Sequence, residues 1–570
     1  MQRLILLCVS FFLSQSIFSQ TADVDVDWGN EFKSDKKSAD LEIIHTDNSG
    51  VYVKESHIVV KRLSLVGAVR ESATLIKCDI NLKKIYTNDF NRELRGKEFE
   101  TMIFLQNRLF LLATDYSKRD GVLTLFGKEI DKKTGNQAGD WIEIANWEKE
   151  EKGDDLNYRI TYNYDSSRML LVSTLEGKSK NNYEVREYDA DLKPTSKPIS
   201  ITNEFDRKTF ELEDVLYTRS GTVAIVARLF EYVDGKKKSE KIRQFKSYSI
   251  RLYAASGKQI KEITTNISGK LMVRLKLIQH SESQLALTAF YSDHSGEAIK
   301  GVMAARINPV TGDLLNSDFR EISTEVIAAS NDSQENASDS VEIKKGTDVG
   351  ISSAMVFRNF IYTPDNGLIV TAEKINSYTH TVTSSTSGSS GAGYSRSSNT
   401  YQTFDCDDIL IFKLDEKGSI KWLKMLPKQQ HESFEIGSSL RTDLGYTSVP
   451  NYYANSGINN WPFYSGFGVF EGTDKVTLVL NDNESNAEIT RAGQRPTRMM
   501  YYGKSTCYAV TYDMNNGNCT RTVLFSNKDK DVPTAMPRMG KMLAEDFYMI
   551  GKQDKILGKS KVAIAKLSIK

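Results

Sequence analysis

The hydrophobic pattern of this chain repeats. A polar turn followed by a short, nearly continuous apolar run occurs eight times: TDNSGVYVKES from Thr46, QNRLFLLATDY from Gln106, DSSRMLLVSTLE from Asp165, TRSGTVAIVARLF from Thr218, HSESQLALTAFYS from His280, TPDNGLIVTAEK from Thr363, GTDKVTLVLND from Gly472 and AEDFYMIGKQ from Ala544. Each run has the length of one strand and is rich in Val, Ile, Leu and Phe, the composition of a strand covered on both faces. The Asn, Asp, Ser and Gly of the turns tolerate tight-turn dihedrals. A second element follows each run and alternates apolar with polar residues before another turn, as in LTLFGKEIDKKTGN from Leu123, YSIRLYAASGKQ from Tyr248 and ILIFKLDEKGSIKW from Ile409. It reads as a half-exposed strand entering a hairpin.

Adding the strand before each run and the strand after each second element makes four strands per repeat, the unit of a propeller blade. The runs begin at Val51, Leu109, Met169, Val223, Leu285, Leu368, Val476 and Phe547, and the shorter intervals lie near 60 residues. The pattern therefore predicts an all-β protein, a β-propeller of about eight four-stranded blades, with seven as the alternative count. The last repeat ends at Lys570 after three strands. A ring needs closure, and VDVDW, Val24 to Trp28, is the natural missing outer strand.

The first 20 residues, MQRLILLCVSFFLSQSIFSQ, carry one basic residue, an apolar run from Leu4 to Leu13, then small and polar residues. That is the build of a signal peptide over 1–20, with cleavage between about Ser19 and Ala22. The protein is then exported, to the periplasm, the cell surface or the medium. The remainder, 21–570, reads as a single propeller domain with insertions at about 327–350, 377–400 and 430–462. The second of these is dominated by Ser, Thr and Gly and reads as an extended hairpin tip. No other stretch is apolar enough for a transmembrane segment.

Removing the leader takes away Arg3, so 75 basic against 74 acidic residues becomes 74 against 74 and the net charge is zero. Nothing in that balance favours nucleic acid. Four cysteines remain, Cys78, Cys406, Cys507 and Cys519, too sparse for a disulfide scaffold. Packing between repeats must supply the core.

Chemistry-bearing motifs are few. There is no G-x-S-x-G elbow. The six histidines, His45, His57, His280, His294, His380 and His431, are scattered, and HESFE at His431 departs from the metalloprotease pattern because its last residue is Glu435. Asp23, Asp25 and Asp27 share one face of a strand, but the glycine and glutamate that complete an EF-hand loop are missing. They read as an acidic outer edge that discourages pairing. No metal, cofactor or catalytic residue is identified.

The richest local feature is NYYANSGINNWPFYSGFGVF from Asn451. Tyr452, Tyr453, Trp461, Phe463 and Tyr464 place flat aromatic faces among Asn, Gly and Ser, a mixture that suits stacking on sugar rings or gripping a peptide. These five are the candidate ligand-binding residues. The competing reading is that they cover the first strand of the seventh blade.

The segments LTLFGKEIDKKTGN, LALTAFYSDHSGEAIKGVMAARINPVTGD, DDILIFKLDEKGSIKWLKMLPKQQ, VTLVLNDNESN and LFSNKDKD resemble an uncharacterised family of exported, propeller-like proteins of Gram-negative bacteria. The resemblance covers most of the mature chain and implies the propeller fold and export. It supplies no catalytic residues. The leading expectation is a non-enzymatic exported binding protein that presents propeller loops to a glycan, a peptide or an envelope protein. A propeller hydrolase or lyase acting on polysaccharide and a structural component of an envelope complex are the alternatives.

Overall fold

The computed structural model describes residues 24–569 except 35–37, 61–68, 118, 149–154, 164–165, 178–179, 205–207, 235–240, 266–268, 293–297, 325, 328–349, 388–393, 437–445, 449–461, 530–532, 544 and 554–559. The leader therefore lies outside the described residues, as does nearly all of the insertion expected at 327–350. Among the described residues the strands form eight sheets, seven built on four consecutive antiparallel strands and the eighth on the last three strands with the first. The protein is an eight-bladed β-propeller.

Each apolar run becomes the second strand of its blade. Arg108–Ser117, Met169–Glu176 and Gln284–Ser292 are buried over six or more positions, because a neighbouring blade covers each face. Fourth strands such as Leu314–Glu321 are largely exposed. First strands of successive blades touch one another, Ser38–Asp47 meeting both Ala535–Leu543 and Glu98–Leu105, which sets them around the axis.

The buried apolar side chains confirm a closed ring. Among the described residues they fall into eight clusters, and every cluster draws on two adjacent blades. The closing cluster joins Ile43, Val53 and Ile76 of blade one to Met536, Ile550 and Ile564 of blade eight. Blade eight itself consists of Ala535–Leu543, Asp546–Gln553, Ser560–Ile569 and, as its fourth strand, Val24–Trp28. The register runs antiparallel from Val24 opposite Ile569 to Trp28 opposite Ala565. Val24, Val26 and Trp28 pack on the cluster between blades seven and eight, and Trp28 sits edge-on to Phe525 at 5.4 Å. Asp25 and Asp27 take the exposed positions of that strand.

Turns between third and fourth strands tie several blades to their predecessors. Asp131 and Asp415 each accept two backbone N–H groups of their own turn at 2.8 to 2.9 Å, a geometry that short Asx side chains favour. The preceding blade then donates to the turn: Lys77 to the Lys132 carbonyl at 3.1 Å, Arg108 to that of Ala190 at 2.7 Å, and Trp422 to that of Met514 at 3.0 Å. Because successive strands reverse direction, these turns share one face of the ring with the first-to-second hairpins. The opposite face carries the second-to-third connections and the links between blades. It is the face of the long hairpins, including Leu368–Ser387 with Tyr394–Leu414, paired out to Ser387 and Tyr394.

Two carboxylates on inner strands are each bracketed by cations from elsewhere in the ring. Glu42 of blade one meets Lys54 and, from blade eight, Lys541, both at 3.0 Å. Asp214 of blade four pairs with Arg159 of blade three at 2.7 Å and with Lys276 of blade five. Burial pushes both carboxyls up, but the cations outweigh it. They hold Glu42 at about 2 against an ordinary 4.5 and hold Asp214 well below its ordinary value. On acidification the unfolded chain therefore takes up these protons first. The stability these pairs confer is complete above about pH 4.5 and is lost as pH falls toward 2, at up to about 1.4 kcal/mol per pH unit for each carboxylate. Unfolding midpoints in urea at pH 7, 5.5 and 3 are expected to be level between the first two and to fall steeply at the third.

Candidate functional site

The long hairpin of blade six builds a platform on the loop face. The upper part of its third strand, Thr400 to Cys406, pairs with an added strand, Gln430–Ile436. Just before that strand, fully buried Lys428 donates to Glu373, to the Cys406 carbonyl and to Gln430, each at 2.7 Å. Gln430 in turn donates to the Asn481 carbonyl at 2.6 Å. This network carries the fixed end of the aromatic segment into blade seven.

Residues 462–466 are held from several sides. Both carboxylate oxygens of Glu432 accept backbone N–H groups, from Phe463 on one oxygen and from Tyr464 and Ser465 on the other, all at 2.8 Å. Gly466 donates to Gln430 at 2.7 Å, and its positive φ of 82° is one that a side chain would resist. Arg538 donates to the Pro462 carbonyl at 2.9 Å, and Asn481 to that of Tyr464 at 3.1 Å. Burial raises the Glu432 carboxyl, and the backbone donors oppose that rise.

The anchored rings form one wall of a cleft of about 750 Å³ above blades six to eight. Phe463 and Tyr464 pack on the core between blades eight and one, and Tyr464 donates to the Lys552 carbonyl at 3.2 Å. Tyr502 opens a short 3-10 turn, Tyr502–Lys504, and its ring stacks on Tyr464 with centroids 5.8 Å apart and planes 23° off parallel. Burial, with the Glu432 charge behind it, raises the Tyr502 phenol well above its ordinary range. Tyr501 projects outward with 71 % of its surface exposed, beside half-exposed Met500. Lys504, Lys528, Lys552 and Asp529 supply charge on the walls, and Lys528 pairs with Glu484.

Of the five expected ligand-binding residues, Phe463 and Tyr464 line this cleft, while Tyr452, Tyr453 and Trp461 lie outside the described residues. Tyr501, Tyr502 and Glu432 escaped sequence reading. The signal for the two tyrosines was the run MMYYGK in an unusually long link between Lys475–Asp482 and Thr506–Asp513. His431, near the cleft, holds Asp405 at 2.8 Å, and Arg498 shares that carboxylate at 2.7 Å. Cys507 lies opposite Phe525 and Cys519 opposite Tyr512, so these two cysteines occupy opposite ends of their hairpin.

No family model matches the chain, and no curated protein matches it. Solved structures that it resembles include prolyl oligopeptidase B from Galerina marginata, at 10% identity over 57% of this chain and a TM-score of 0.28. The chain spans only 37% of that protein's length. The β-propeller domain of the Trilobed protease from Pyrococcus furiosus is similar at 10% identity over 70% of this chain and 96% of its own, with a TM-score of 0.29. An α-L-arabinanase from Penicillium chrysogenum, solved with arabinobiose, gives 9% over 61% of this chain and 92% of its own, also at 0.29. Likenesses this distant carry no argument about function.

Proposed function

We propose that this chain is an exported, non-enzymatic binding protein whose loop-face cleft takes a segment of glycan. The observation that carries the reading is the exposed Tyr501 ring beside the Tyr464 and Tyr502 stack. Aromatic faces cover the apolar faces of sugar rings at small entropic cost. Ser433, Gln553 and Lys504, also on the walls, suit the hydroxyls around them. Export rests on the leader-like first 20 residues and accords with the resemblance to exported propeller-like proteins.

The carboxylates of the cleft favour binding over hydrolysis. Glycosidic cleavage needs an acid and a second carboxylate across the scissile bond. Among the described residues Asp529 and Glu432 are the carboxylates on the wall, and both Glu432 oxygens are committed to backbone N–H groups. A group so engaged shapes the chain beside it instead of moving protons.

Affinity electrophoresis through gels containing soluble polysaccharides tests the reading. The mature protein is expected to be retarded by at least one of them and to release no reducing sugar. Tyr501→Ala is expected to weaken that retention about tenfold, near 1.4 kcal/mol, with the melting temperature unchanged because the ring is mostly exposed. Free migration in every gel, or retention indifferent to Tyr501→Ala, would refute the glycan reading, and released sugar would favour the hydrolase.

A further inference from the structure

The turn face holds a second cleft, of about 880 Å³, between blades five and six. Its wall includes Arg306, at the end of the third strand of blade five, Gly301–Ile307. Arg306 is only 1% exposed. Its Nη2 donates to the Asp415 carbonyl at 3.0 Å and its Nε to that of Glu416 at 3.5 Å. Both acceptors are neutral. Nη1 is buried without a hydrogen-bond partner, and the ion pairs among the described residues do not include Arg306. The carboxylate of Asp415 is engaged elsewhere, by Lys421 at 3.0 Å and by two backbone N–H groups of its own turn.

A buried cation without a counter-ion is costly. Burial accordingly depresses the guanidinium to about 10. The clamp on the next blade does not demand an arginine, since Lys77 performs it in blade one with a single ammonium. What arginine adds is the unfilled Nη1. A second polar atom, His280 Nδ1, is also buried and unpartnered, and His280 lies on the same cleft wall. Leu315 and Tyr362, each 49% exposed, supply apolar surface beside them. At the rim Lys417 and Glu416 offset each other, and the Asp415 charge that acts on Arg306 is shared with Lys421, so the cleft keeps a net charge of about one positive.

We propose that this cleft is a second ligand site, taking a singly charged organic carboxylate next to an apolar group, with Arg306 Nη1 as its counter-ion. One charge and a planar donor match a carboxylate better than a phosphate. The apolar wall fits the side chain that accompanies a free acyl-amino acid or the carboxyl terminus of a peptide. This inference is independent of the glycan reading on the opposite face.

Calorimetric titration of the mature protein tests it with N-acetyl-leucine, N-acetyl-leucine amide, a tetra-alanyl-leucine peptide with free and with amidated terminus, and inorganic phosphate. The acids are expected to bind at least about tenfold more tightly than their amides and than phosphate. Arg306→Lys keeps the clamp that Lys77 illustrates and is expected to lose about tenfold in acid affinity. Leu315→Asp, at an exposed position, puts a negative charge beside the site and is expected to lose as much, whether or not Arg306→Lys folds. Binding of both acids assigns the site to chain termini as well as free acids, and binding of N-acetyl-leucine alone assigns it to free acids. Amides that bind as well as acids, phosphate that matches them, no acid binding below roughly 10 mM, or affinities unmoved by both variants would overturn the proposal and leave Nη1 to an ordered water.

Discussion

A chain that begins at Gly29, without Val24–Trp28, is expected to lose at least about 3 kcal/mol and the single cooperative unfolding transition of the intact ring. Two losses combine. The pairing of Val24 through Trp28 with Ile569 through Ala565 disappears, which exposes the third strand of blade eight, Ser560–Ile569, as a free edge. The packing of Val24, Val26 and Trp28 on the cluster between blades seven and eight disappears with it. Truncating one large buried aromatic alone costs roughly 3 to 5 kcal/mol, and Trp28 is partly buried against Phe525. The short strand Phe32–Ser34 still pairs with Ser560–Ile569, so the truncated chain should remain compact while becoming prone to edge-to-edge association. Scanning calorimetry with light scattering reads both effects. A melting profile indistinguishable from that of the intact chain would show that the ring is held without its outer strand.

Glu432→Ala is expected to cost at least about 3 kcal/mol in urea unfolding and to abolish ligand retention at the loop-face cleft. The alanine leaves the Phe463, Tyr464 and Ser465 N–H groups without their acceptor, and each orphaned buried donor costs roughly 1 to 3 kcal/mol. Glu432→Gln keeps one acceptor oxygen but turns an amide donor toward the same N–H groups, so an intermediate loss is expected. The contrast with Tyr501→Ala separates two roles at one site. Tyr501 contributes exposed surface, and its removal should change affinity alone, whereas Glu432 supports the backbone under Phe463 and Tyr464, and its removal should change stability and affinity together. A Glu432→Ala protein as stable as the parent would show that residues 462–466 are held by Gln430, Asn481 and Arg538 without it.

The candidate site was half legible. Phe463 and Tyr464 stood out because aromatic residues among Gly, Asn and Ser are unusual where a chain is entering a buried strand. Their Gly466 turn explains how both demands are met, with the rings settled on the core and their free side turned to the cleft. Tyr501 and Tyr502 were missed because they lie some 37 residues further along the chain and join the others only through blade packing. Glu432 stood in the sequence only as part of HESFE, a stretch that departs from the metalloprotease pattern. Its buried role appears only once Gln430–Ile436 is laid against Thr400 to Cys406.

What the sequence by itself determined was the blade count, the strand order and the closure. A strand covered on both faces must be apolar along its whole length, so all eight second strands announce themselves without knowledge of their neighbours. A last blade short of one strand, in a ring that tolerates no open edge, likewise points to the chain's own beginning. Only the tertiary structure decided which charges meet. Glu42 finds Lys541 nearly the whole chain away, Asp214 finds its cations on the blades to either side, and Arg306 is left donating to carbonyls, with no ion pair among the described residues. The physical reason is range. Burial leaves a local and periodic mark on composition, whereas the partner of a charge or the wall of a cleft is set by through-space distances that exist only after the ring has closed.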